Sequence, residues 1–181
     1  MNKLRLLTFL LLAAFFIPSC KKDTFVGTAY TTAPFQANIN GSTWAPDTVV
    51  NTVTFNAASK TKTFYLSGTK EQKQVIMSVA LSNSQDSPGF TLGTYNVDNT
   101  SVFMQYNTQQ KDPSGNYVYL PHGTVSPGSG NINITAIDSV KKQITGTFNF
   151  YSRTANTDGS VTIDNILGGV FNNLPYTYTS N

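Results

Sequence analysis

The sequence has few of the side chains that carry out most enzyme chemistry. Its 181 residues include one cysteine, Cys20, one histidine, His122, and one glutamate, Glu71. Proton transfer and nucleophilic attack depend largely on such groups, and the nucleophile motif Gly-x-Ser-x-Gly does not occur. The aspartates fall mostly in turn-like segments, which favour aspartate for backbone reasons alone. We therefore expect a protein that is not an enzyme and has no cofactor.

The first 20 residues have the features of an export signal. Lys3 and Arg5 precede an apolar run over residues 6–17, and a small residue stands directly before Cys20. This arrangement is typical of a secretory signal peptide. A cysteine directly after the cut resembles the lipobox of bacterial lipoproteins, in which the thiol and the new amino end are acylated, palmitate being a common acyl group. We predict a signal peptide over residues 1–19 and lipidation of Cys20.

Two other interpretations of the N-terminus are a transmembrane anchor and a signal that meets a cysteine by chance. The run over 6–17 is short for the first, because spanning about 30 Å of hydrocarbon takes roughly 20 apolar residues. If Cys20 is acylated, no thiol is left for a disulfide, a thiolate metal site or a nucleophile. We expect an outer-membrane lipoprotein of the cell envelope, facing either the periplasm or the cell surface.

The charge balance argues against nucleic acid as a partner. The formal net charge of the full chain is +3. Removal of the signal peptide takes Lys3 and Arg5 away and leaves 10 basic and 9 acidic side chains; from Phe35 onward the numbers are 8 and 8. No basic stripe interleaved with aromatic residues and no nucleic-acid-binding motif remains. We expect no nucleic-acid partner and a membrane contact through the lipid anchor at Cys20.

The mature chain divides into a tether and one domain. Residues 20–34 are polar, rich in threonine and end in a proline, which favours a flexible connection. Residues 35–181 are numerous enough to form a domain with its own core. We place the lipidated cysteine and the tether over 20–34 and the folded domain over 35–181.

The domain has the pattern of antiparallel β structure. Phe35, Ala37 and Ile39 alternate with polar residues, and Asn40-Gly41 and Asp158-Gly159 have the composition of two-residue hairpin turns. No segment of any length has the helical period. About 9–10 strands with short connections predict a single antiparallel meander that forms a β-sandwich or a flattened barrel. The pattern does not distinguish these two closures.

Four stretches of the chain resemble a family of uncharacterised Bacteroidota lipoproteins with an FxAxINGxxW-type start. They are FQANINGSTW over residues 35–44, GTY over 93–95, ITGTFNF over 144–150 and VTI over 161–163. The resemblance implies an exported, lipid-anchored all-β protein and leaves the function open. In similar bacteria, acidic residues after the lipidated cysteine accompany surface display; this chain has one such acid close by, so both leaflets stay open.

Binding is the more promising chemistry, because aromatic residues are frequent. Tyrosine combines an apolar ring with a polar tip and suits contact with sugars or peptides. Aromatic residues are also favoured in strands without any ligand, so these rings could instead fill the core or cover one sheet. A group of them lies close together in sequence, with Tyr117 and Tyr119 sharing one face of a strand and Tyr106 sharing another with Met104. The candidate ligand-binding residues are Tyr95, Phe103, Tyr106, Tyr117 and Tyr119.

A metal site is not expected. The segment 156–159, with the sequence Asn-Thr-Asp-Gly, resembles the start of a calcium loop, but the 12-residue pattern and its final glutamate are missing. A hairpin turn explains this segment better than a calcium loop does. We therefore predict no metal ligands.

The sequence thus favours a lipid-anchored cell-envelope protein that acts as a non-enzymatic binding or structural module. Its partner would be a glycan, a peptide or a protein. A lipocalin-like carrier of a small apolar ligand is the alternative, and it would need a buried pocket. An enzyme ranks third, because it would need His122 within hydrogen-bond reach of a carboxylate and a serine inside a cleft.

Overall fold

The computed structural model describes residues 33–181, which form an all-β domain without helices. Its strands, in chain order, are β1 (Phe35–Ile39), β2 (Ser42–Trp44), β3 (Thr48–Asn56), β4 (Thr61–Lys70), β5 (Lys73–Leu81), β6 (Gly93–Asn96), β7 (Val102–Lys111), β8 (Tyr117–Pro121), β9 (Gly130–Asp138), β10 (Gln143–Ala155), β11 (Val161–Pro175) and β12 (Thr177–Ser180). The predicted signal peptide, the lipidation site Cys20 and nearly all of the tether lie outside these residues. Within them, no helix is available to span a membrane.

The strands form two six-stranded sheets. The first sheet has the order β2-β1-β11-β10-β9-β6, and the second has the order β12-β3-β4-β5-β7-β8. They share one core in a sandwich-like arrangement and do not close into a barrel. The predicted all-β class is confirmed, and of the two predicted closures the structure has the sandwich.

The meander describes part of the topology. Strands β3, β4 and β5 are successive neighbours in the second sheet, as β9, β10 and β11 are in the first. Between these groups the chain crosses from one sheet to the other, and β12 pairs with β3 in parallel, whereas all other strand pairs are antiparallel. There are twelve strands, against the 9–10 predicted, because several pairing segments are only three or four residues long.

Strand β11 continues through Gly168 and Gly169, although glycine weakens the interior of a strand. Gly168 has a φ of +57°, and the pairing with β10 shifts register near this point. A Cβ on Gly169 would lie 2.4 Å from the ring of Phe148. The two glycines therefore bend the strand and let it pass over that ring without interrupting it.

Apolar side chains fill the space between the sheets. Trp44 is 4% exposed and meets the ring of Phe35 edge-on, with 5.7 Å between the ring centroids. Close-packed rings of this kind leave little room for a ligand inside the domain. The largest fully buried side chains are Phe35, Phe148, Phe150 and Phe171 from the first sheet and Phe64 from the second.

Candidate binding surface

The structure separates the five aromatic residues proposed from the sequence. Tyr106 is 3% exposed and belongs to the core. Tyr95 lies on β6 of the first sheet, where its ring packs against Phe90. The other three, Phe103, Tyr117 and Tyr119, lie on the side of the second sheet that faces away from the core, with Phe103 near the start of β7 and the two tyrosines opposite its end.

This solvent-facing side of the second sheet is called the outer face below. Side chains alternate between the two faces of a strand, so the buried Val102, Met104 and Tyr106 assign Phe103 and Gln105 to the outer face. Strand pairing then identifies the neighbours on the same side. The central residues of the outer face are Tyr65, Gln74, Ile76, Ser78, Phe103, Gln105, Asn107, Gln109, Tyr117 and Tyr119.

Two aromatic residues flank a small one on the outer face. Tyr65 on β4 pairs with Ser78 on β5, which in turn pairs with Phe103 on β7. Since adjacent strands lie about 4.8 Å apart, the two aromatic residues are separated by about 10 Å across a small serine. Phe103 is 39% exposed. A flat, ring-shaped ligand can therefore reach its face from solvent.

Amide side chains on the outer face are connected to one another by hydrogen bonds. Gln105 Nε2 donates to Asn107 Oδ1 at 2.7 Å, and Asn107 Nδ2 donates to Gln74 Oε1 at 2.8 Å. Gln74 Nε2 extends the chain to Thr69 Oγ1 at 3.3 Å. An amide has two N–H donors and an acceptor oxygen, so Gln105, at the end of this chain, keeps donor and acceptor capacity for a ligand.

A small pocket adjoins Phe103. Strand β8 pairs with β7 only from Asn107 onward, so the preceding half of β7 is flanked by the segment after β8, where the backbone N–H of His122 donates to Tyr106 O at 2.8 Å. The resulting pocket has a volume of about 190 Å³ and is lined in part by Phe103, Gln105 and Pro121. An exposed ring, an amide and a pocket thus lie side by side.

The outer face carries almost no charge. Of its side chains only Lys111, at the end of β7, is charged, and its Nζ lies 5.3 Å from the centroid of the Tyr117 ring. The Tyr119 hydroxyl donates to the backbone oxygen of Glu71 at 2.5 Å, which fixes that ring. Such a surface offers ring stacking and neutral hydrogen bonds, and little to attract an ion.

The only histidine, whose side chain is 34% exposed, forms a polar cluster with the buried Asp164. His122 Nδ1 lies 2.6 Å from Asp164 Oδ2, and Asp164 Oδ1 accepts from Asn40 Nδ2 at 2.7 Å. The nearby Ser152 donates its hydroxyl at 2.5 Å to the backbone oxygen of His122 and not to the imidazole. The carboxylate required by the enzyme interpretation is present, but the Ser152 hydroxyl does not bond to the imidazole. The cluster instead connects the segment after β8 to β11.

Burial changes the acidity of the tyrosine next to this cluster. The Tyr106 ring meets the His122 ring edge-on at 5.8 Å. Burial, together with a smaller contribution from the Asp164 carboxylate, raises the pKa of Tyr106 to about 12. The phenol is therefore held in its neutral form by its surroundings. The histidine–aspartate pair leaves no local pattern in the sequence, because its members are 42 residues apart.

The segment that resembled a calcium loop is the turn between β10 and β11. Asp158 Oδ1 accepts from the backbone N–H and the hydroxyl of Ser160, and Asn156 Nδ2 donates to the hydroxyls of Ser160 and Thr162. These contacts all lie within the hairpin, as the interpretation of this segment as a hairpin turn predicts. Among residues 33–181, no three His, Cys, Asp or Glu side chains are grouped so that they could hold a metal ion.

Comparison with known proteins gives a match at the level of a family. The family model described as "Domain of unknown function (DUF6252)" matches residues 31–175. This range includes β1 to β11 and thus nearly all of the sandwich. The comparisons with curated proteins and with solved structures found no match.

Proposed function

We propose that this chain, which belongs to the family described as "Domain of unknown function (DUF6252)", is a lipid-anchored binding module of the bacterial cell envelope. The charged start, the apolar run and Cys20 support export and lipidation. The resemblance to Bacteroidota lipoproteins supports the outer membrane as its location. The module acts by holding a ligand close to the membrane, without catalysis.

The ligand that fits the outer face best is a neutral glycan. The single observation behind this proposal is an almost uncharged sheet face on which the exposed Phe103 ring stands beside connected amides. The C–H faces of sugar rings stack on aromatic rings, and sugar hydroxyls exchange hydrogen bonds with amide groups. A peptide bound by strand addition would need a free backbone edge, which the centre of a sheet, where Phe103 and the amides lie, does not offer.

The filled interior argues against the carrier alternative. A carrier of apolar molecules needs an internal cavity, whereas Phe64, Phe148 and Phe171 occupy the space between the sheets. The enzyme alternative is also less favoured, because the Ser152 hydroxyl beside His122 is engaged with a backbone oxygen. Binding at the outer face therefore has the better physical support.

A thermal-shift screen of the mature chain, with Cys20→Ala to keep it free of lipid, tests the proposal. A glycan at about 100 times its Kd adds roughly 2.7 kcal/mol to the free energy of unfolding. In a domain of this size that raises Tm by several degrees. Neutral polysaccharide fragments should raise Tm, whereas fatty acids should leave it unchanged. A rise with fatty acids or peptides alone would contradict the glycan proposal.

Two matched variants then locate the site. Phe103 on the outer face and Tyr151 on the first sheet are similarly exposed, at 39% and 42%. Phe103→Ala should weaken glycan binding about tenfold or more, since loss of a contact ring costs at least about 1.4 kcal/mol. Tyr151→Ala should leave the Kd unchanged. Equal losses in both variants would show that the outer face is not the site.

A further inference from the structure

A second cleft, of about 630 Å³, lies where the chain passes from β5 to β6. Its wall is formed by the first turn of residues after β5, by Phe90 and Tyr95 near β6, and by Lys62 at the start of β4. It shares no lining residue with the outer face. A ligand bound in this cleft would therefore leave the outer face free.

Lys62 is the unusual residue of this cleft. Its side chain points toward the core side of β4 and is 6% exposed, although lysine is rarely buried. Its ammonium group donates to Ser87 Oγ at 2.9 Å and to Gly89 O at 3.0 Å. Both acceptors are neutral, and an ammonium group has three N–H donors. One donor thus has no partner among the described residues.

No carboxylate of the described residues forms a direct ion pair with this ammonium group. Lys62 is the only charged residue that lines the cleft, and it has no salt-bridge partner within 4.0 Å among the residues that the structure describes. Asp86 lies on the same connecting segment, but its carboxylate accepts from the Tyr178 hydroxyl and, at 2.9 Å, from Ser180 Oγ. These hydroxyl hydrogen bonds, first that of Tyr178, hold the pKa of Asp86 below its usual range.

The electrostatics of Lys62 agree with this description. Burial lowers the pKa of the Lys62 ammonium, and the charge of Asp86 opposes that change only in part. A buried charge that lacks a counter-ion is costly, and a ligand that supplies one relieves part of the cost. An anionic group is therefore the natural occupant of the position next to Lys62.

Aromatic and polar residues of the same cleft can hold the body of such a ligand. The Tyr95 hydroxyl donates to Thr91 O at 2.8 Å, which fixes the ring, and the ring of Phe90 lies 6.3 Å away, centroid to centroid. Ser82 and Gln85 add polar groups to the same cleft. One cation and an aromatic ring that line the same cleft suit a single carboxylate attached to a compact ring or short chain.

We propose that this cleft binds a ligand carboxylate through the ammonium group of Lys62, with the body of the ligand against Tyr95. Two sources share this chemistry: an acidic sugar such as a uronic acid, and the C-terminal carboxylate of a peptide. The domain would then have two separate sites, one for a neutral glycan on the outer face and one for a carboxylate in the cleft.

The test uses the mature chain with Cys20→Ala and two probe pairs, measured by NMR titration. Glucuronate is compared with glucose, and N-acetylalanine with its amide. We expect at least one carboxylate to bind about tenfold or more tightly than its neutral counterpart, and the pair that responds identifies the source. Binding of neither carboxylate, or equal binding within both pairs, would overturn the proposal.

Variants separate binding from folding. Lys62→Met should abolish the preference for the carboxylate, whereas Lys70→Met, which removes the same charge from the other end of β4, should retain it. Because Lys62→Met also loses the bonds to Ser87 and Gly89, a second variant, Ser82→Trp, fills the cleft and keeps those bonds. Carboxylate binding that survives both Lys62→Met and Ser82→Trp would place the site elsewhere. Phe103→Ala should not affect it, so a failure here is distinct from a failure of the glycan proposal.

Discussion

Trp44 allows the packing of the domain to be tested quantitatively. It is the only tryptophan of the chain, it is 4% exposed, and its ring meets Phe35 edge-on. Truncation of a buried aromatic side chain to alanine costs about 3–5 kcal/mol. We therefore expect Trp44→Ala to lower the free energy of unfolding by that amount and Tm by on the order of 10 °C.

A second variant at the same position tests a finer detail. Trp44 Nε1 is buried and has no hydrogen-bond partner among the described residues, and an unsatisfied buried donor costs about 1–3 kcal/mol. Trp44→Phe removes this N–H group and leaves a smaller void than alanine does. The two effects oppose each other, so Trp44→Phe should cost no more than about 1 kcal/mol.

Urea denaturation followed by circular dichroism measures both values, because Trp44→Ala removes the fluorescence probe. The slope of the free energy against urea should be unchanged, which shows that the unfolded states are comparable. A loss below about 0.5 kcal/mol for Trp44→Ala would refute the assignment of Trp44 to the core. Equal losses for the alanine and phenylalanine variants would refute the argument from the unsatisfied N–H group.

Two further predictions concern the anchor and the buried phenol. Cys20→Ala in the full precursor should give an unlipidated protein that no longer sediments with membranes; unchanged retention in the membrane fraction would contradict lipidation at Cys20. The pKa of Tyr106 is raised to about 12 by burial, above the value of about 10 for an unfolded tyrosine. The folded state thus keeps this proton at a pH where the unfolded chain releases it. The contribution of the Tyr106 phenol to the free energy of unfolding is therefore fully present below about pH 10 and is lost as the pH rises to about 12. Urea titrations across that range should show a smaller decline for Tyr106→Phe, and an identical decline would contradict the assignment.

Local features of the fold could be predicted because they depend on neighbouring residues. Phe35, Ala37 and Ile39 are all buried, as their alternation indicated. Asn40 and Gly41 have φ angles of +52° and +85°, the positive values that the predicted hairpin turn requires. These signals are contained within a few residues of sequence.

Long-range features could not be predicted, because they depend on which strands meet. The parallel pairing of β12 with β3 joins a polar C-terminal segment to a strand 125 residues earlier, as the bond between Thr54 and Thr179 illustrates. The burial of Lys62 follows from the acceptors that the segment after β5 supplies. Neither arrangement leaves a local pattern.

The candidate site was predictable only in part. Alternation along β7 placed Tyr106 on the face of Met104, but both faces of this strand carry an aromatic residue, so the sequence did not decide which one points inward. The structure places Tyr106 in the core and Phe103 outside. Tyr65 was not among the residues proposed from the sequence. It is brought near Phe103 only because β4 and β7 both pair with β5.

The most direct test of the central claim is an NMR titration of the isotope-labelled mature chain with the glycan that gives the largest thermal shift. If the glycan binds the outer face of the second sheet, signals of Ile76, Phe103 and Gln105 should move with a single saturation curve. Signals of Tyr151 and Val170, which face solvent on the first sheet, should stay in place. Shifts confined to the first sheet, or to residues of the core, would show that the outer face is not the glycan-binding site.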